Sequence, residues 1–416
     1  MEGQLKIFIK FFIMKQGLFI LCLLLLGINV HAYDFTVDGN SYDIVSISDF
    51  TCKLAKANTG IANFVVPAKV SYNGKEVSVV EIGSSAFLNN RDVVTVEIPS
   101  SILSIGYNAF KGCTVLKNVS IPSSVSSIST GAFQDCTSLE YLNIPNTCPS
   151  LPPLIISGCK SLKKFVIHNR IENLPSSRQY ASNDYYDVLY GTLDYYTEKI
   201  DKVSLDSLII EDSSNPLYAP SYYLKITYTG KGCGYFGYLQ TRYVYIGRDM
   251  TYKNTNYGSS DVEPFYGNPY IEELVFGDLC SHTMNIYGKS LAKVTLGKGI
   301  STVEGTHIPN GVKELYLKTT VPPIVLTDFS NSLYVNATVY VPKGTLEAYK
   351  SSAGWKNFWN IQECDVAAGI VAPQDNKTTR VEVSRYNSQG AKLVKEEKGL
   401  NIIRYNDGSV RKTIVK

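Results

Sequence analysis

Histidine is nearly absent from this chain, with four in 416 residues. One of them, His31, lies in the N-terminal leader described below, and His168, His282 and His307 are far apart in sequence. A zinc site or a histidine-based hydrolase needs such side chains to converge, so the expectation is three surface or rim histidines. Net charge is also scarce. The formal value is +3, and losing Lys6, Lys10, Lys15 and Glu2 with residues 1–32 would leave 40 − 3 = 37 basic against 37 − 1 = 36 acidic side chains. A chain so balanced lacks the electrostatic footprint of a nucleic-acid binder or of a protein held on an anionic membrane surface. Long apolar runs are missing as well. The longest, Gly17 to Val30, has 14 residues, short of the roughly 20 that cross a bilayer. Preceded by Lys15 and ending in Val30-His31-Ala32, it has the form of a secretory signal peptide over residues 1–32, with Met14 as the more compact start. Cys22 follows Leu21 without the small residue that precedes a lipidated cysteine, so a lipoprotein is not expected.

What the chain has is repetition. Ile98-Pro99 recurs as Ile121-Pro122 and Ile144-Pro145, Ala86-Phe87 as Ala109-Phe110 and Ala132-Phe133, and Cys113 as Cys136 and Cys159, each at a step of 23 residues. A fixed period of this length marks a solenoid, in which each unit leaves an apolar face that only its neighbour covers. Within a unit, Val119 and Ile121 alternate with Asn118 and Ser120, the period of a strand with one face inward. Proline then closes the strand. Counting this frame gives 11 coils, ending their strands at Val66, Ile98, Ile121, Ile144, Ile167, Ile210, Ile246, Phe276, Leu296, Leu317 and Val341. The step stretches to 43 residues before Ile210 and to 36 before Ile246, which requires insertions there.

Eight cysteines remain after the leader, an even number that invites disulfides in an exported chain. Cys113, Cys136 and Cys159 instead occupy one position in successive coils, where a small buried residue is expected. Asn73-Gly74 marks a hairpin between Lys69–Tyr72 and Val77–Val80, because both turn positions need positive φ. Tyr349, Trp355, Phe358 and Trp359 have the character of a C-terminal cap. The division that follows is leader 1–32, N-terminal cap with hairpin 33–79, solenoid 80–362 with insertions around 170–270, linker 363–379 and a C-terminal β module 380–416.

Two glycine motifs carry little chemistry. Gly232-Cys233-Gly234-Tyr235-Phe236-Gly237 has dinucleotide-binding spacing but runs into strand instead of the helix that would hold a pyrophosphate. Gly288-Lys289-Ser290 precedes a repeat strand and is expected to be a bend. Carboxylates are dispersed, so no glycosidase pair is nominated. No catalytic, metal or cofactor residue is assigned.

The units Ile82-Gly83 to Phe87 and Ile105-Gly106 to Phe110, the stretch Cys113 to Pro122, the opening Tyr72-Asn73-Gly74-Lys75 and the closing Val339 to Gly344 resemble the BspA-like class of leucine-rich-repeat proteins, over Ile61 to about Ile361. The resemblance implies a mostly β, right-handed leucine-rich-repeat solenoid with a parallel sheet, exported to the surface of the cell, and adhesion to extracellular-matrix proteins for some members. Tyr386-Asn387, Gly390, Gly399 and the ending Lys412 to Lys416 resemble the C-terminal sorting domains of the type IX export route, which implies outer-membrane association or release.

Function is expected on the surface. Outward strand positions stack into columns, Thr95, Asn118, Tyr141 and Lys164 in one and Glu97, Ser120, Asn143 and Val166 in the next. Eighteen of the 30 tyrosines lie between Tyr180 and Tyr270. Tyrosine is a rigid ring with a polar tip, suited to protein contacts and to stacking on sugars. Tyr141, Lys164, Tyr185, Tyr186, Tyr222, Tyr223, Tyr235 and Tyr238 are the candidate ligand-binding residues. The expected partner is an extracellular protein, of a matrix or of a bacterial surface, with a glycan held by the tyrosine insertion or a spacer without ligand as alternatives. Nucleic acid is not expected.

Overall fold

The computed structural model describes residues 33–175, 185–188, 191–194, 203–219, 235–237, 239–252, 263–286 and 288–365, with 382–387, 392–393, 395, 398–405 and 410–415 of the tail. It is a mostly β repeat solenoid built on one parallel sheet of 12 strands. In chain order these are β1 (Asn63–Val65), β2 (Thr95–Glu97), β3 (Asn118–Ser120), β4 (Tyr141–Leu142), β5 (Lys164–Ile167) and β6 (Ser204–Ile210). They continue as β7 (Gln240–Arg248), β8 (Glu273–Leu279), β9 (Lys293–Leu296), β10 (Glu314–Leu317), β11 (Thr338–Pro342) and β12 (Asn360–Cys364). Eleven correspond to the coils counted from the sequence. β12 does not, because Glu363 pairs with Val341 at what would be the second inward position, so the apolar frame is broken there.

The strand alternation places Phe64, Val96, Val119, Leu142, Phe165, Leu208, Val244, Leu274, Val294, Leu315 and Val339 in one inward row, all buried. Behind it, Phe87 stacks on Phe110 at 4.7 Å and Phe110 on Phe133 at 5.2 Å, with ring planes 17° and 3° apart. Phe64 closes this ladder edge-on at 5.0 Å. The coil repeat thus brings identical side chains to van der Waals distance, and neighbouring coils share their core. The three repeat cysteines are free and buried, as expected. Each thiol is within hydrogen-bonding distance of a carbonyl of the preceding coil: Cys113 of Phe87 at 3.1 Å, Cys136 of Phe110 at 3.1 Å and Cys159 of Phe133 at 3.3 Å. Burial pushes the Cys159 thiol up to about 12, which makes it a packing group and not a nucleophile.

The bends follow a second column. Asn89, Gly112, Asp135 and Gly158 all have positive φ, at 56°, 74°, 60° and 71°. Each backbone N–H of the first three bonds to the next coil. Residues with and without a side chain alternate, because a Cβ on Gly112 would collide with Asn89 Oδ1 and one on Gly158 with Asp135 Oδ1. Gly112→Ala is therefore expected to lower stability by about 1–2 kcal/mol, whereas Gly112→Ala in an Asn89→Gly background loses less, read from urea unfolding of the four chains.

The N-terminal segment joins a second sheet in the order Phe35–Val37, Asn40–Ser46, Thr51–Lys56, Lys75–Ile82, Ser104–Ile105 and Ser127–Ile128. The hairpin is present, Tyr72 opposite Lys75 across Asn73 and Gly74 at φ 49° and 73°. Tyr349, Trp355 and Phe358 are buried at the other end, but Trp359 is 77% exposed. It is not part of the cap, since the three buried rings with Phe329 and Tyr334 already fill that end. In the tail, Glu382–Tyr386, Lys392–Leu393, Gly399–Tyr405 and Val410–Val415 pair into one antiparallel sheet. Among the described residues no helix is long and apolar enough to cross a membrane.

Candidate recognition surface

Strand register stacks the residues that alternate with the inward row into two columns, the first continuous and the second interrupted at β4, with Ser207, Tyr243, Val275 and Thr295 buried within them. The first runs Asn63, Thr95, Asn118, Tyr141, Lys164, Ser207 on β1 to β6 and Tyr243, Glu273, Lys293, Glu314, Thr338, Asn360 on β7 to β12, with every step a paired position. In the second, Val65, Glu97 and Ser120 stack at the N-terminal end, and Val166, Ile209, Tyr245, Val275, Thr295, Tyr316, Tyr340 and Gln362 stack from β5 onward. β4 ends at Leu142, so Asn143 lies just outside its strand. Short polar side chains dominate the first coils and large ones the last.

Charges on this surface are matched internally. One residue before the first column, Lys117, Glu140, Lys163, Asp206, Arg242 and Glu272 alternate in sign over six consecutive strands. Lys163 Nζ is 2.7 Å from Glu140, and Arg242 is 2.7 Å from Glu272. Alternation avoids the repulsion of like charges stacked about 4.8 Å apart. Within the columns Lys293 pairs with Glu273 at 2.9 Å. With Lys164, Lys313, Glu97 and Glu314 the surface carries six basic and six acidic groups.

Aromatics gather at the C-terminal end. Tyr316 and Tyr340 lie 4.4 Å apart with planes at 11°. Rings cannot sit side by side at that separation, so they face each other along the solenoid axis and present their edges and hydroxyls outward. Lys293 Nζ stands 5.2 Å from the Tyr316 ring, and the Tyr316 hydroxyl donates to Glu314 at 3.3 Å. Trp359 occupies the rim position of β12, directly before Asn360.

The residues expected from sequence fall in different places. Tyr141 and Lys164 are paired neighbours in the first column, with Lys163 Nζ 5.2 Å from the Tyr141 ring. Tyr185 and Tyr186 belong to a hairpin, Tyr185–Val188 against Gly191–Asp194. Tyr222, Tyr223 and Tyr238 lie outside the described residues. Tyr235 is a correction: it is 3% exposed, packs on Phe236 at 4.9 Å and donates to the Pro175 carbonyl at 3.3 Å, so it serves the core. Tyr243 is buried as well. Tyr316, Tyr340 and Trp359 were not anticipated, although Leu315-x-Leu317 and Val339-x-Val341 already placed the two tyrosines on the outward face.

Of the three histidines, His282 is exposed as expected and His307 is half-buried, but His168 differs. His168 is buried, and burial holds its imidazole below the ordinary value of 6.5. The unfolded chain takes up that proton below about pH 6.5 while the folded chain resists it. Stability is then full above that pH and falls as pH drops, by up to about 1.4 kcal/mol per unit. Burial raises the carboxyl of Glu263, and that shift acts in the opposite sense as pH falls. Urea unfolding of His168→Leu beside the parent, from about pH 7 to about pH 5, isolates the histidine; the variant is expected to have the flatter profile.

His307 lies between two carboxylates, its Nε2 3.3 Å from Glu304 and 3.8 Å from Glu263. Glu263 also accepts from the Tyr252 hydroxyl at 3.2 Å and from the Asn285 amide. Ser281 Oγ donates to Asp249 at 2.6 Å and is 2.9 Å from His282 Nδ1. That same nitrogen is 3.5 Å from Asp249, so the imidazole does not stand between serine and acid as a proton relay requires. Gly288-Lys289-Ser290 is a bend before β9, as expected. Among the described residues no group of three His, Cys, Asp or Glu could hold a metal ion.

Residues 76–184 match the family model described as BspA type leucine rich repeat region, in six copies. No curated protein matches the chain. Among solved structures, a leucine-rich repeat protein from Bacteroides capillosus ATCC 29799 is 29% identical over 27% of this chain and 83% of its own, with TM-score 0.26. A leucine rich repeat protein of T. pallidum is 18% identical over 66% of this chain and 90% of its own, with TM-score 0.37. A leucine rich cell surface protein from Faecalibacterium prausnitzii A2-165 is 15% identical over 80% and 95%, with TM-score 0.29. The segment 76–184, which contains the regular 23-residue copies, carries leucine-rich repeats of the BspA type.

Proposed function

We propose that this chain is an exported cell-surface recognition protein, without catalytic activity, that binds an extracellular protein of a matrix or of a bacterial surface along the outward face of its 12-stranded sheet. The observation that carries this reading is the unbroken register of the first column from Asn63 to Asn360, in which every residue except the buried Ser207 and Tyr243 is at least partly exposed. Many weak contacts aligned on one rigid axis give affinity without the ordering cost a flexible surface would bear. The leader at 1–32 supports export, and the tail's likeness to a sorting domain supports residence at the outer membrane. The packing of Tyr316 favours protein over glycan at that ring. A sugar stacks on an open ring face, and both faces of Tyr316 are taken, by Tyr340 and by Lys293.

The test is binding of the mature chain, residues 33–416, to a panel of purified matrix proteins and to a glycan array, beside Tyr185→Ser/Tyr186→Ser. Excising the whole run from Tyr180 to Tyr270 would be uninformative, because β6 and β7 lie in it. Protein binding unchanged in the double variant supports the reading. Glycan binding lost in the double variant would replace it with sugar capture by the insertion.

A further inference from the structure

We infer that the partner is anchored at the C-terminal end of this face, on Trp359 with Tyr340 and Tyr316, and that the surface it presents to the face as a whole carries little net charge. This rests on the protein-binding reading above and adds where the contact centres and what chemistry meets it.

Trp359 has no role in the fold that its exposure would serve. Its backbone N–H bonds to the Tyr334 carbonyl at 2.9 Å, so the main chain is held, while the indole is left 77% exposed. Tryptophan and tyrosine dominate the binding energy of protein interfaces, in clusters on ordered backbone. Here one tryptophan stands at the rim of β12 and two tyrosines, locked ring to ring, lie on β10 and β11. The nearby polar groups are already engaged with each other. Asn360 donates to Thr338 at 2.7 Å, and Gln362 donates to Asn360 at 2.9 Å. They form a preorganised border and offer a sugar few free hydrogen-bond donors.

The charges on this face bear on the partner independently of the aromatics. Six basic and six acidic groups on and beside the outward columns cancel, and three close ion pairs hold six of the twelve in place. A polyanion or a strongly acidic or basic partner finds no field of one sign to follow. Association governed by ring edges and neutral hydrogen bonds changes little with ionic strength, because screening acts on separated unpaired charges.

Surface plasmon resonance of full-length mature chain over the tightest binder of the matrix-protein panel, with heparin as polyanion control, tests both parts. Trp359→Ala is expected to weaken binding by tenfold or more with no change in thermal midpoint, and Tyr316→Ser/Tyr340→Ser to act in the same direction. Affinity of the parent should change by less than about threefold between about 50 and about 500 mM NaCl. Binding with Trp359→Ala unchanged overturns the anchor while leaving protein recognition standing. A loss of tenfold or more across that salt range, or competition by heparin, overturns the partner chemistry. If glycans bind and lose affinity in Trp359→Ala, the partner class is wrong, and if no panel protein binds, this inference falls together with the reading beneath it.

Discussion

Arg248→Ala is expected to lower the stability of the solenoid by about 4 kcal/mol, the largest loss for one substitution outside the cap. Arg248 ends β7 and is fully buried. Its guanidinium donates to the carbonyls of His168 and Asn169, each at 3.1 Å, and both follow β5. One side chain therefore spans the sheet across β6, where the coil step is stretched to 43 and then 36 residues. Alanine takes the donor from the Asn169 carbonyl, at about 1–3 kcal/mol, leaves the His168 carbonyl with the Ile171 amide alone, and opens a cavity the size of an arginine. Burying the guanidinium is itself costly, and its pKa is lowered for that reason. Arg248→Met should then recover part of the loss by filling the space without a charge. Urea unfolding followed by circular dichroism reads both. A loss below about 1 kcal/mol for alanine would mean that the stretched coils hold themselves without this link.

Trp355→Ala is expected to cost about 3–5 kcal/mol, confined to the last coils. The indole is fully buried, donates to the Pro323 carbonyl at 2.7 Å, and packs against Phe329 at 5.2 Å and Tyr349 at 5.7 Å. Tyr349 in turn bonds the Thr319 carbonyl at 2.8 Å. Losing the central ring uncouples the cap from β11 and β12. A solenoid is stabilised by contacts between neighbours, so hydrogen exchange should accelerate in β11 and β12 and remain slow in β2 to β5. Uniform acceleration along the chain would show one cooperative unit in place of a stack. Trp355→Phe keeps most of the packing and removes the donor, with an expected loss of about 1–2 kcal/mol.

These two sites show what could and could not be read in advance. The column of Cys113, Cys136 and Cys159 and the ladder of Phe87, Phe110 and Phe133 were legible because periodicity reports core directly. The outward columns follow from the same strand period, which is how Tyr141 and Lys164 were placed side by side. Composition misled where a side chain has two uses. Trp359 counted as cap because aromatics close solenoid ends, yet three neighbouring rings already fill that place. Tyr235 counted as a contact residue because it sits in a tyrosine-rich stretch, and it is core. Arg248 and His168 were invisible because burial of a polar side chain depends on partners 79 and 80 residues away, a distance no local pattern encodes. β12 was missed since Glu363 breaks the apolar frame while its backbone still pairs.

The central claim is that recognition uses the outward face of the 12-stranded sheet. Hydroxyl-radical footprinting of the mature chain, free and saturated with its tightest matrix-protein ligand, tests it most directly. Protection at Tyr141, Tyr316, Tyr340 and Trp359, with Ile324 and Leu326, on a strand (Ile324–Thr327) that pairs with Thr302–Glu304 apart from the 12-stranded sheet, oxidised as before, is the expected result. Protection confined to Val321, Ile324 and Leu326, exposed apolar residues away from that face, would contradict it.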